Sequence, residues 1–364
     1  MSLFDLLLTA SGGVYLMAML WLLLGLHRRT PQTTTEWPAV SIVVAARNEA
    51  ASIGPCLQAL KEQEYEGEIQ VVVIDDRSED DTGAKVLERA QGNLKLVRAR
   101  ADLPFKCPKK SALAQGIEVS SGELLLFTDA DCQPPSGWVR STVELFAADV
   151  GWVAGYAFPR ASQRWRHKLL ALDNVAIGAL GAGSTGMGRA LACTGRNLAY
   201  RRQVYEEVGG FTSIGHLIGG DDVYFMRLVQ ARTNWKMVYN REPDAAVVCE
   251  PGPVSWADII QQKLRHAAKA GHYKGVALAL AGAVYGFHLL LAIGLVHMLV
   301  QGYLHGLLLG IWGLRCLIDF AVLWSFAQRC ERKLLVFLPL LELSYIPYVL
   351  LFSVVGRLGF FRWK

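Results

Sequence analysis

The chain has 364 residues, of which 52% are hydrophobic and 19% are charged, and its mean hydropathy is +0.26. This balance argues against a purely soluble protein, and no compositionally biased tract points to a disordered or fibrous class. The net charge of +5 comes from scattered residues and from residues that flank apolar runs, which favours a membrane protein over a nucleic-acid-binding one.

The amino-terminal segment Leu3–Leu26 is apolar and long enough to cross the hydrocarbon layer of a membrane, which needs about 20 residues. No Lys or Arg precedes this segment, whereas His27, Arg28 and Arg29 follow it directly. This asymmetry predicts a membrane anchor over residues 1–29 rather than a cleaved signal peptide. It also predicts that the chain after the anchor, beginning with a linker at 30–38, lies in the cytoplasm.

Residues 39–254 have the composition of a soluble domain, in which short apolar runs alternate with amphipathic segments. Runs rich in Val and Ile are typical of strands that are buried on both faces of a parallel sheet. Their alternation with helices predicts an α/β doubly wound sheet. The predicted strands are 39–46, 69–74, 94–97 and 124–128, and the predicted helices are 49–62, 80–91 and 109–119.

Two acidic clusters follow predicted strands of this sheet. Asp75 and Asp76 close the second strand, and Asp129 and Asp131 follow the fourth. Ligands of doubly wound sheets bind at the carboxyl ends of strands, where a carboxylate pair suits Mg²⁺ or Mn²⁺ carrying a diphosphate. Helix capping or solvated turn acids are the alternative. No Gly-x-Gly-x-x-Gly run follows the first strand, which argues against a dinucleotide-dependent enzyme.

The seven cysteines are widely spaced, and no two of them form a Cys-x-x-Cys pair. An odd number of cysteines without metal-ligand spacing predicts neither a disulfide framework nor a zinc site. We therefore expect reduced thiols that face a cytosol. The cysteines are Cys56, Cys107, Cys132, Cys193, Cys249, Cys316 and Cys330.

A series of motifs over roughly residues 39–275 resembles the family 2 glycosyltransferases, which have the GT-A fold. The matching stretches are VSIVVAARNEAASI, VVVIDDRSEDDT, KKSALAQGI, TDADC, GRNLAYRRQVYEEVGGF and GGDDVYFMRL. In addition, Gln262-Lys-Leu-Arg265-His266 resembles the Gln-x-x-Arg-Trp motif of membrane-bound members. The resemblance implies a GT-A doubly wound mixed sheet, a nucleotide-sugar donor, with UDP the favoured nucleotide, and a divalent cation.

The resemblance also assigns the nucleotide site. It implies that Asp75 or Asp76 binds the base of the nucleotide, in a pocket that Asn48 and Glu49 help to shape. For either aspartate, capping of the turn that contains Ser78 is the alternative.

The resemblance assigns the cation and the phosphates to the next two motifs. It implies that Asp131, helped by Asp129, coordinates Mg²⁺ or Mn²⁺, which acts on the phosphate oxygens as a Lewis acid. Lys110, or its neighbour Lys109, begins a predicted helix and is expected to face the phosphates. An ordinary solvated lysine is the alternative, since lysines are mostly exposed.

The catalytic base is expected in the acidic pair Asp221-Asp222, which opens an amphipathic segment. The resemblance implies that Asp222 accepts the proton of the acceptor hydroxyl as this attacks the anomeric carbon, which inverts the configuration. Helix capping is the alternative for one of the two carboxylates. A retaining mechanism would need a separate carboxylate nucleophile, for which the sequence offers no candidate.

An amphipathic stretch at 255–275 is expected to form an interfacial helix. On it, Gln262 and Arg265 are expected to bind the donor, with the Arg265 guanidinium at the leaving diphosphate, and lipid headgroup contact is the alternative. His266 stands where the family motif has Trp, which puts any acceptor stacking by that Trp in doubt.

The carboxy-terminal region, 276–364, contains three apolar segments, Val276–Val300, Tyr303–Ala327 and Leu334–Val355. We predict two to three membrane helices here, because the last segment contains two prolines and a full crossing would export the basic residues that follow it. A re-entrant or interfacial last segment is the alternative. Arg315 and Asp319 are expected to form a local ion pair, with Glu342 in the next segment.

Together these features predict a multi-pass protein of the cell membrane with a cytoplasmic hexosyltransferase domain. The predicted activity is inverting transfer of a sugar from a nucleotide-sugar to a lipid or lipid-linked acceptor. A processive polysaccharide synthase is one alternative, although the predicted helices are few for an export channel. A non-enzymatic transporter or receptor with a nucleotide-binding domain is the other. The oligomeric state is left open.

Overall fold

The computed structural model describes residues 2–28, 33–100, 105–160, 162–251, 255–268, 275–329 and 331–358. Parts of the predicted linker and of the predicted interfacial helix lie outside these ranges. The chain divides into two compact units. The sheet unit comprises residues 28–160 and 184–250, and the helical unit comprises residues 1–27, 161–183 and 251–364.

The described strands and helices are bounded as follows. The strands are β1 (Val40–Ala46), β2 (Ile69–Asp75), β3 (Leu94–Arg98), β4 (Leu124–Phe127), β5 (Cys132–Gln133), β6 (Val150–Gly155), β7 (Ala157–Pro159), β8 (Leu198–Arg201), β9 (Lys236–Asn240) and β10 (Val247–Cys249). The helices are α1 (Leu3–Leu26), α2 (Ile53–Lys61), α3 (Thr82–Leu87), α4 (Pro108–Glu118), α5 (Trp138–Val143), α6 (Trp165–Gly186), α7 (Arg202–Glu207), α8 (Val223–Arg232), α9 (Trp256–Ala268), α10 (Gly275–Gln301), α11 (Gly306–Phe326) and α12 (Leu338–Arg357).

The sheet unit is built on a seven-stranded mixed sheet with the order β3-β2-β1-β4-β8-β6-β9. Strands β1 to β4 pair in parallel, whereas β8 runs antiparallel to both β4 and β6. The residues of β4 are all buried, as are nearly all of β1, as expected for apolar strands covered on both faces. The predicted α/β mixed sheet is confirmed.

The parallel strands place their carboxyl ends along one edge of the sheet. In the register of the sheet, Ala46 at the end of β1 lies beside Asp75 at the end of β2, and Val43 lies beside Phe127 at the end of β4. The segments that follow these three strands therefore emerge side by side. A second, three-stranded sheet has the order β5-β10-β7 and begins directly after the Asp129–Asp131 segment.

Among the described residues, the helical unit contains four helices that are long and apolar enough to cross a membrane: α1, most of α10, α11 and the segment 332–356, which includes most of α12. This confirms the expectation of one such helix near the amino terminus and up to three in the carboxy-terminal region. The last segment is helical over Leu338–Arg357 and continues through Pro347. Which helices cross the membrane, and in which direction, stays a prediction.

Most of α6 groups with the helical unit, and the domain bounds at 39–254 stay a prediction. Residues 161–183, most of α6, belong to the helical unit. Asp173 of α6 forms an ion pair with Lys263 of α9 and accepts a hydrogen bond of 2.7 Å from the hydroxyl of Tyr345 in α12. These long-range contacts explain why the helix packs with elements far from it in sequence.

A buried polar cluster joins α1, α11 and α12 within the helical unit. The Tyr15 hydroxyl is 2.7 and 2.9 Å from the two carboxylate oxygens of Asp319. Arg315 lies 2.7 Å from Glu342 through Nη2 but 3.5 Å from Asp319 through Nε. The expected local pair is therefore present, but the closer partner of Arg315 comes from another helix. The guanidinium joins carboxylates of two helices in surroundings where an isolated charge is costly.

We expect Arg315→Met to destabilise the helical unit by about 3–5 kcal/mol, because it leaves two buried carboxylates without their cation. The thermal unfolding midpoint of the detergent-solubilised protein would fall, and the double variant Arg315→Met/Glu342→Gln would recover part of the loss. Leu317→Met, at an exposed position of the same helix, is the matched control. An Arg315→Met protein with the same thermal unfolding midpoint as the wild type would contradict this interpretation.

Candidate active site

Several of the predicted site residues of the sheet unit gather at the carboxyl edge of the parallel strands. Asn48 and Glu49 follow β1, Asp75 ends β2, and the segment from Asp129 to Asp131 follows β4. Because these strands are adjacent in the sheet, segments distant in sequence are brought together.

The turn after β1 is hydrogen bonded to the loop after β2. Asn48 has a φ of 55°, its backbone N–H donates to the Ser78 hydroxyl at 3.0 Å, and its Oδ1 accepts from the Glu79 N–H at 2.8 Å. The Glu49 N–H donates to the Thr82 hydroxyl at 2.8 Å. Asparagine tolerates the left-handed conformation better than most residues, and its side chain here closes the turn.

Asp75 and Asp76 are both buried and both have partners within this loop. Oδ1 of Asp75 accepts a hydrogen bond of 3.0 Å from the Ser78 N–H, and Asp76 forms an ion pair of 2.9 Å with Arg77. At Gly83, an added Cβ would approach Oδ2 of Asp75 to 2.7 Å, so α3 begins in close contact with this carboxylate. The alternative role in the turn is therefore present for Asp75, and binding of a nucleotide base stays a prediction for both.

Lys109 connects the two other acidic segments. Its Nζ lies 2.6 Å from Oδ1 of Asp129 and 3.5 Å from Oδ2 of Asp221. These three residues line one cavity together with Gly195, and an aromatic and apolar wall completes it. The wall residues include Leu113, Phe127, Leu198, Tyr200 and Phe211. The lysine at the second position of α4 thus holds an aspartate after β4 and an aspartate before α8 at one site.

Lys110 does not belong to this site, which corrects the choice between the two lysines. Its side chain is completely buried, and its Nζ donates to the backbone carbonyls of Ile214 and Leu217 at 2.7 and 2.9 Å. Successive residues on a helix point about 100° apart, so only one of the two lysines can face the carboxylates. Lys109 is the one that does.

The site carries an excess of negative charge. Burial and the neighbouring Asp129 carboxylate raise the pKa of Asp131. Burial also raises the pKa of Glu49, and Asp131 and Asp129 add to this effect while a hydrogen bond from Ser52 opposes it. Burial alone would lower the pKa of Lys109, but Asp129 and Asp221 hold it well above its usual value. A further cation would relieve the repulsion among these carboxylates.

The residues fit a Mg²⁺ or Mn²⁺ ion that is shared with a ligand. Asp129 and Asp131 offer hard carboxylate oxygens, whereas the described residues contain no group of three or more His, Cys, Asp or Glu side chains arranged to hold a metal. Mg²⁺ in particular is commonly bound by one or two carboxylates together with substrate phosphates and water, rather than by a cage made wholly of protein ligands. Asp129 and Asp131 are a donor set of this kind, which substrate phosphates and water would complete.

Asp222 is the N-cap of α8, and its Oδ1 accepts a hydrogen bond of 2.6 Å from the Val223 N–H. Two glycines with φ near 70°, Gly219 and Gly220, turn the chain just before it. A Cβ on Gly220 would meet the ring of Tyr224 at 2.2 Å, so this tight turn requires glycine. The turn places Asp221 in the cavity and Asp222 at the helix start.

The motif GRNLAYRR contains a residue that the sequence prediction did not assign. Arg196 follows the cavity residue Gly195, and its Nε donates to the Thr194 hydroxyl at 3.3 Å. Burial opposes its charge, but the neighbouring Cys249 and Cys132 sulfurs, followed by the Asp129 and Asp131 carboxylates, raise the pKa of Arg196. The sequence feature that could have identified Arg196 is its position directly before the asparagine of the motif.

The asparagine of the same motif has a structural role. Asn197 is buried, and its Nδ2 donates to the carbonyls of Tyr156 and Ala245 at 2.8 and 2.7 Å. Its Oδ1 accepts from the indole N–H of Trp138 at 2.9 Å. This side chain therefore fixes three segments behind the cavity.

Gln262 and Arg265 lie on α9 in the helical unit, apart in sequence from the other predicted site residues. Neighbouring Lys263 anchors α9 through its ion pair with Asp173. The side chain of His266 lies outside the described residues. The roles of Gln262 and Arg265 stay predictions.

The comparisons with known proteins agree with one another. The family model "Glycosyl transferase family 2" matches residues 41–209. The chain is 29% identical over 204 residues to "Glycosyltransferase AglE" of Haloferax volcanii, covering 53% of this chain and 62% of that protein. It is 37% identical over 110 residues to "Beta-monoglucosyldiacylglycerol synthase" of Trichormus variabilis, covering 30% and 24%. The chain thus matches less than two thirds of the length of these relatives.

Among solved structures, the mannosyltransferase PcManGT from Pyrobaculum calidifontis, in complex with GDP-Man and Mn²⁺, has a similar fold. The TM-score is 0.63 at 21% sequence identity, and the alignment covers 98% of both chains. The likeness therefore extends over both units of the present chain.

The two lysines of α4 should respond differently to a divalent cation. Lys110→Met would lower the thermal unfolding midpoint, because two buried carbonyls lose their donor at a cost of about 1–3 kcal/mol each. Lys109→Met would also destabilise the protein, but through unbalanced carboxylates, so millimolar Mn²⁺ would restore much of the loss. Equal responses of the two variants to Mn²⁺ would contradict the assignment of Lys109 to the site.

Proposed function

Because the chain belongs to the family 2 glycosyltransferases, we propose that it transfers a sugar from a nucleotide-sugar to a lipid or lipid-linked acceptor with inversion of configuration. The observation that carries the proposal is the cavity at the carboxyl edge of the sheet, where Lys109 joins Asp129 to Asp221. Carboxylates that would bind a cation lie next to this cavity, and so does the aspartate that would act as the base.

The donor diphosphate needs neutralisation as it leaves. Asp131, with Asp129, would hold Mg²⁺ or Mn²⁺, which when bound supplies Lewis-acid stabilisation of the phosphate oxygens. Lys109 offers an ammonium at the same place and would exchange its contact with Asp129 for one with phosphate. The turn at Asn48 and Glu49 and the carboxylates Asp75 and Asp76 would receive the nucleoside, with UDP the nucleotide that the family resemblance favours.

The acceptor hydroxyl needs a base near the anomeric carbon. We assign this role to Asp222, whose Oδ1 is engaged by the Val223 N–H and whose second oxygen would take the proton. Asp221, next to Lys109, would orient this region and contribute to its charge balance. Attack by the hydroxyl in a single displacement gives inversion.

The proposed lipid acceptor is supported by the helical unit and by the relatives. Four helices in the described part of the chain are long and apolar enough to span a membrane, and one relative is named "Beta-monoglucosyldiacylglycerol synthase". We propose that the protein lies in the cell membrane with its sheet unit in the cytoplasm, and that Gln262 and Arg265 of α9 assist departure of the diphosphate.

We expect Asp222→Asn to lower kcat by about 10²- to 10⁴-fold with little change in the unfolding midpoint. The amide oxygen can still accept from the Val223 N–H, so the helix cap is kept while the proton acceptor is lost. Glu206→Gln, at an exposed position on α7, is the control and should retain full activity. A fully active Asp222→Asn protein would exclude this residue as the base.

The function itself is tested by incubating membranes that contain the protein with a panel of radiolabelled UDP- and GDP-sugars, with and without Mn²⁺. We expect cation-dependent label from one donor in an organic-phase product of one added sugar, and none with Asp131→Ala. High-molecular-weight label in the aqueous phase would instead support a polysaccharide synthase. Absence of transfer from every donor would count against the proposal and favour a non-enzymatic role.

A further inference from the structure

Two cysteines face each other beside the candidate cation site. In the small sheet, β5 and β10 run antiparallel with Cys132 directly opposite Cys249. The two sulfur atoms are 3.4 Å apart, and both side chains are buried and reduced. A disulfide has a sulfur–sulfur distance of about 2.05 Å, so a displacement of little more than 1 Å would bring them to bonding distance.

The strand pairing favours such a bond. The Glu250 N–H donates to the Asp131 carbonyl at 3.1 Å, which makes the neighbouring Asp131–Glu250 pair a hydrogen-bonded one. Because the two kinds of pair alternate along an antiparallel ladder, Cys132 and Cys249 occupy a non-hydrogen-bonded position, where opposing side chains are closest. The two residues are 117 apart in sequence and meet only in the folded protein.

One of these thiols also contacts the candidate metal ligand. Sγ of Cys132 lies 3.3 Å from Oδ1 of Asp131 and donates its proton to this carboxylate. Hydrogen bonds to ligating carboxylates orient them, and loss of such a bond typically costs about 10- to 100-fold in metal affinity. The state of the Cys132 sulfur is therefore coupled to the orientation of Asp131.

We infer that Cys132 and Cys249 form a redox-sensitive pair: the reduced Cys132 thiol orients Asp131 for the divalent cation, and oxidation to a Cys132–Cys249 disulfide weakens cation binding. The part that concerns the cation rests on the function proposed above. As oxidant we name a small peroxide. Each thiol gives up its proton, the pair gives up two electrons, a sulfur–sulfur bond forms, and hydrogen peroxide is reduced to two molecules of water.

The position of β5 provides access for a small oxidant. This strand has two residues and lies at the edge of its sheet, so local opening of this strand would expose Cys132 without unfolding the large sheet. Once one sulfur is oxidised to the sulfenic acid, the opposing thiol displaces water from it. The S–H donor to Asp131 is then gone.

The test uses the full chain in detergent, reduced or treated with hydrogen peroxide. Peptide mapping by mass spectrometry would detect a peptide pair linked through Cys132 and Cys249. Mn²⁺ affinity, measured from the electron paramagnetic resonance signal of free Mn²⁺, is expected to fall about 10-fold on oxidation and to recover with dithiothreitol. Neither readout depends on transferase activity.

Four variants separate the role of Cys132 as a hydrogen-bond donor to Asp131 from the formation of the disulfide. Cys249→Ala keeps the thiol donor and Cys132→Ser keeps a hydroxyl donor, so both should bind Mn²⁺ like the reduced wild type. Neither can form the linkage, and Mn²⁺ binding by Cys132→Ser should be insensitive to peroxide. Cys132→Ala should bind about 10-fold more weakly without any oxidant. Cys316→Ala, in α11, should respond to peroxide like the wild type.

Two results would overturn the inference. One is oxidation of other thiols without the Cys132–Cys249 linkage, and the other is formation of the linkage with unchanged Mn²⁺ affinity. If the reduced wild type binds no Mn²⁺, the proposed cation site fails as well, whereas peptide mapping still decides separately whether the disulfide forms.

Discussion

Repulsion among carboxylates at the end of β4 is the constraint around which the sheet unit is arranged. Two like charges about 4 Å apart repel by about 4 kcal/mol at an effective dielectric constant of 20, which is a large fraction of the stability of a domain. Asp129, Asp131 and Asp221 are held near one another by the sheet and by the glycine turn before α8, and Lys109 and Arg196 oppose their charge. The remaining imbalance favours a ligand that brings its own cation.

The helical unit handles buried charge in the opposite way. Arg315 contacts carboxylates from two helices, and the Tyr15 hydroxyl also bonds to one of them, so that cluster is closed on itself. A closed cluster holds helices together, whereas the cluster in the sheet unit is the one that we propose binds ligands. The two units therefore arrange the same kinds of side chain differently: the helical-unit charges contact one another, whereas Asp129 and Asp221 line a cavity.

The features that the sequence predicts well are those with a local cause. The apolar runs of β1 to β4 and the long apolar helices appear directly in the composition, and acidic pairs after strands mark the sheet edge. The strands β5 to β10 and the helix α6 could not be predicted from local patterns, because their positions depend on contacts with distant segments. Lys109 and Lys110 are neighbours in sequence, and the hydrogen bonds from Lys110 to the backbone carbonyls of Ile214 and Leu217 distinguish them. The approach of Cys132 to Cys249 has the same long-range origin.

The contacts of Asp173 have a consequence for biosynthesis. Its partners Lys263 and Tyr345 follow it by 90 and 172 residues, whereas the sheet unit has all its strands once Cys249 is made. At about 5–20 residues per second, the ribosome needs roughly 9–34 s to proceed from Asp173 to Tyr345. Until Lys263 has been made, the Asp173 carboxylate of α6 lacks this cation and has to remain in contact with water or with a chaperone. The sheet unit is therefore expected to fold first, and α6 to reach its final position only after the last helix has been synthesised.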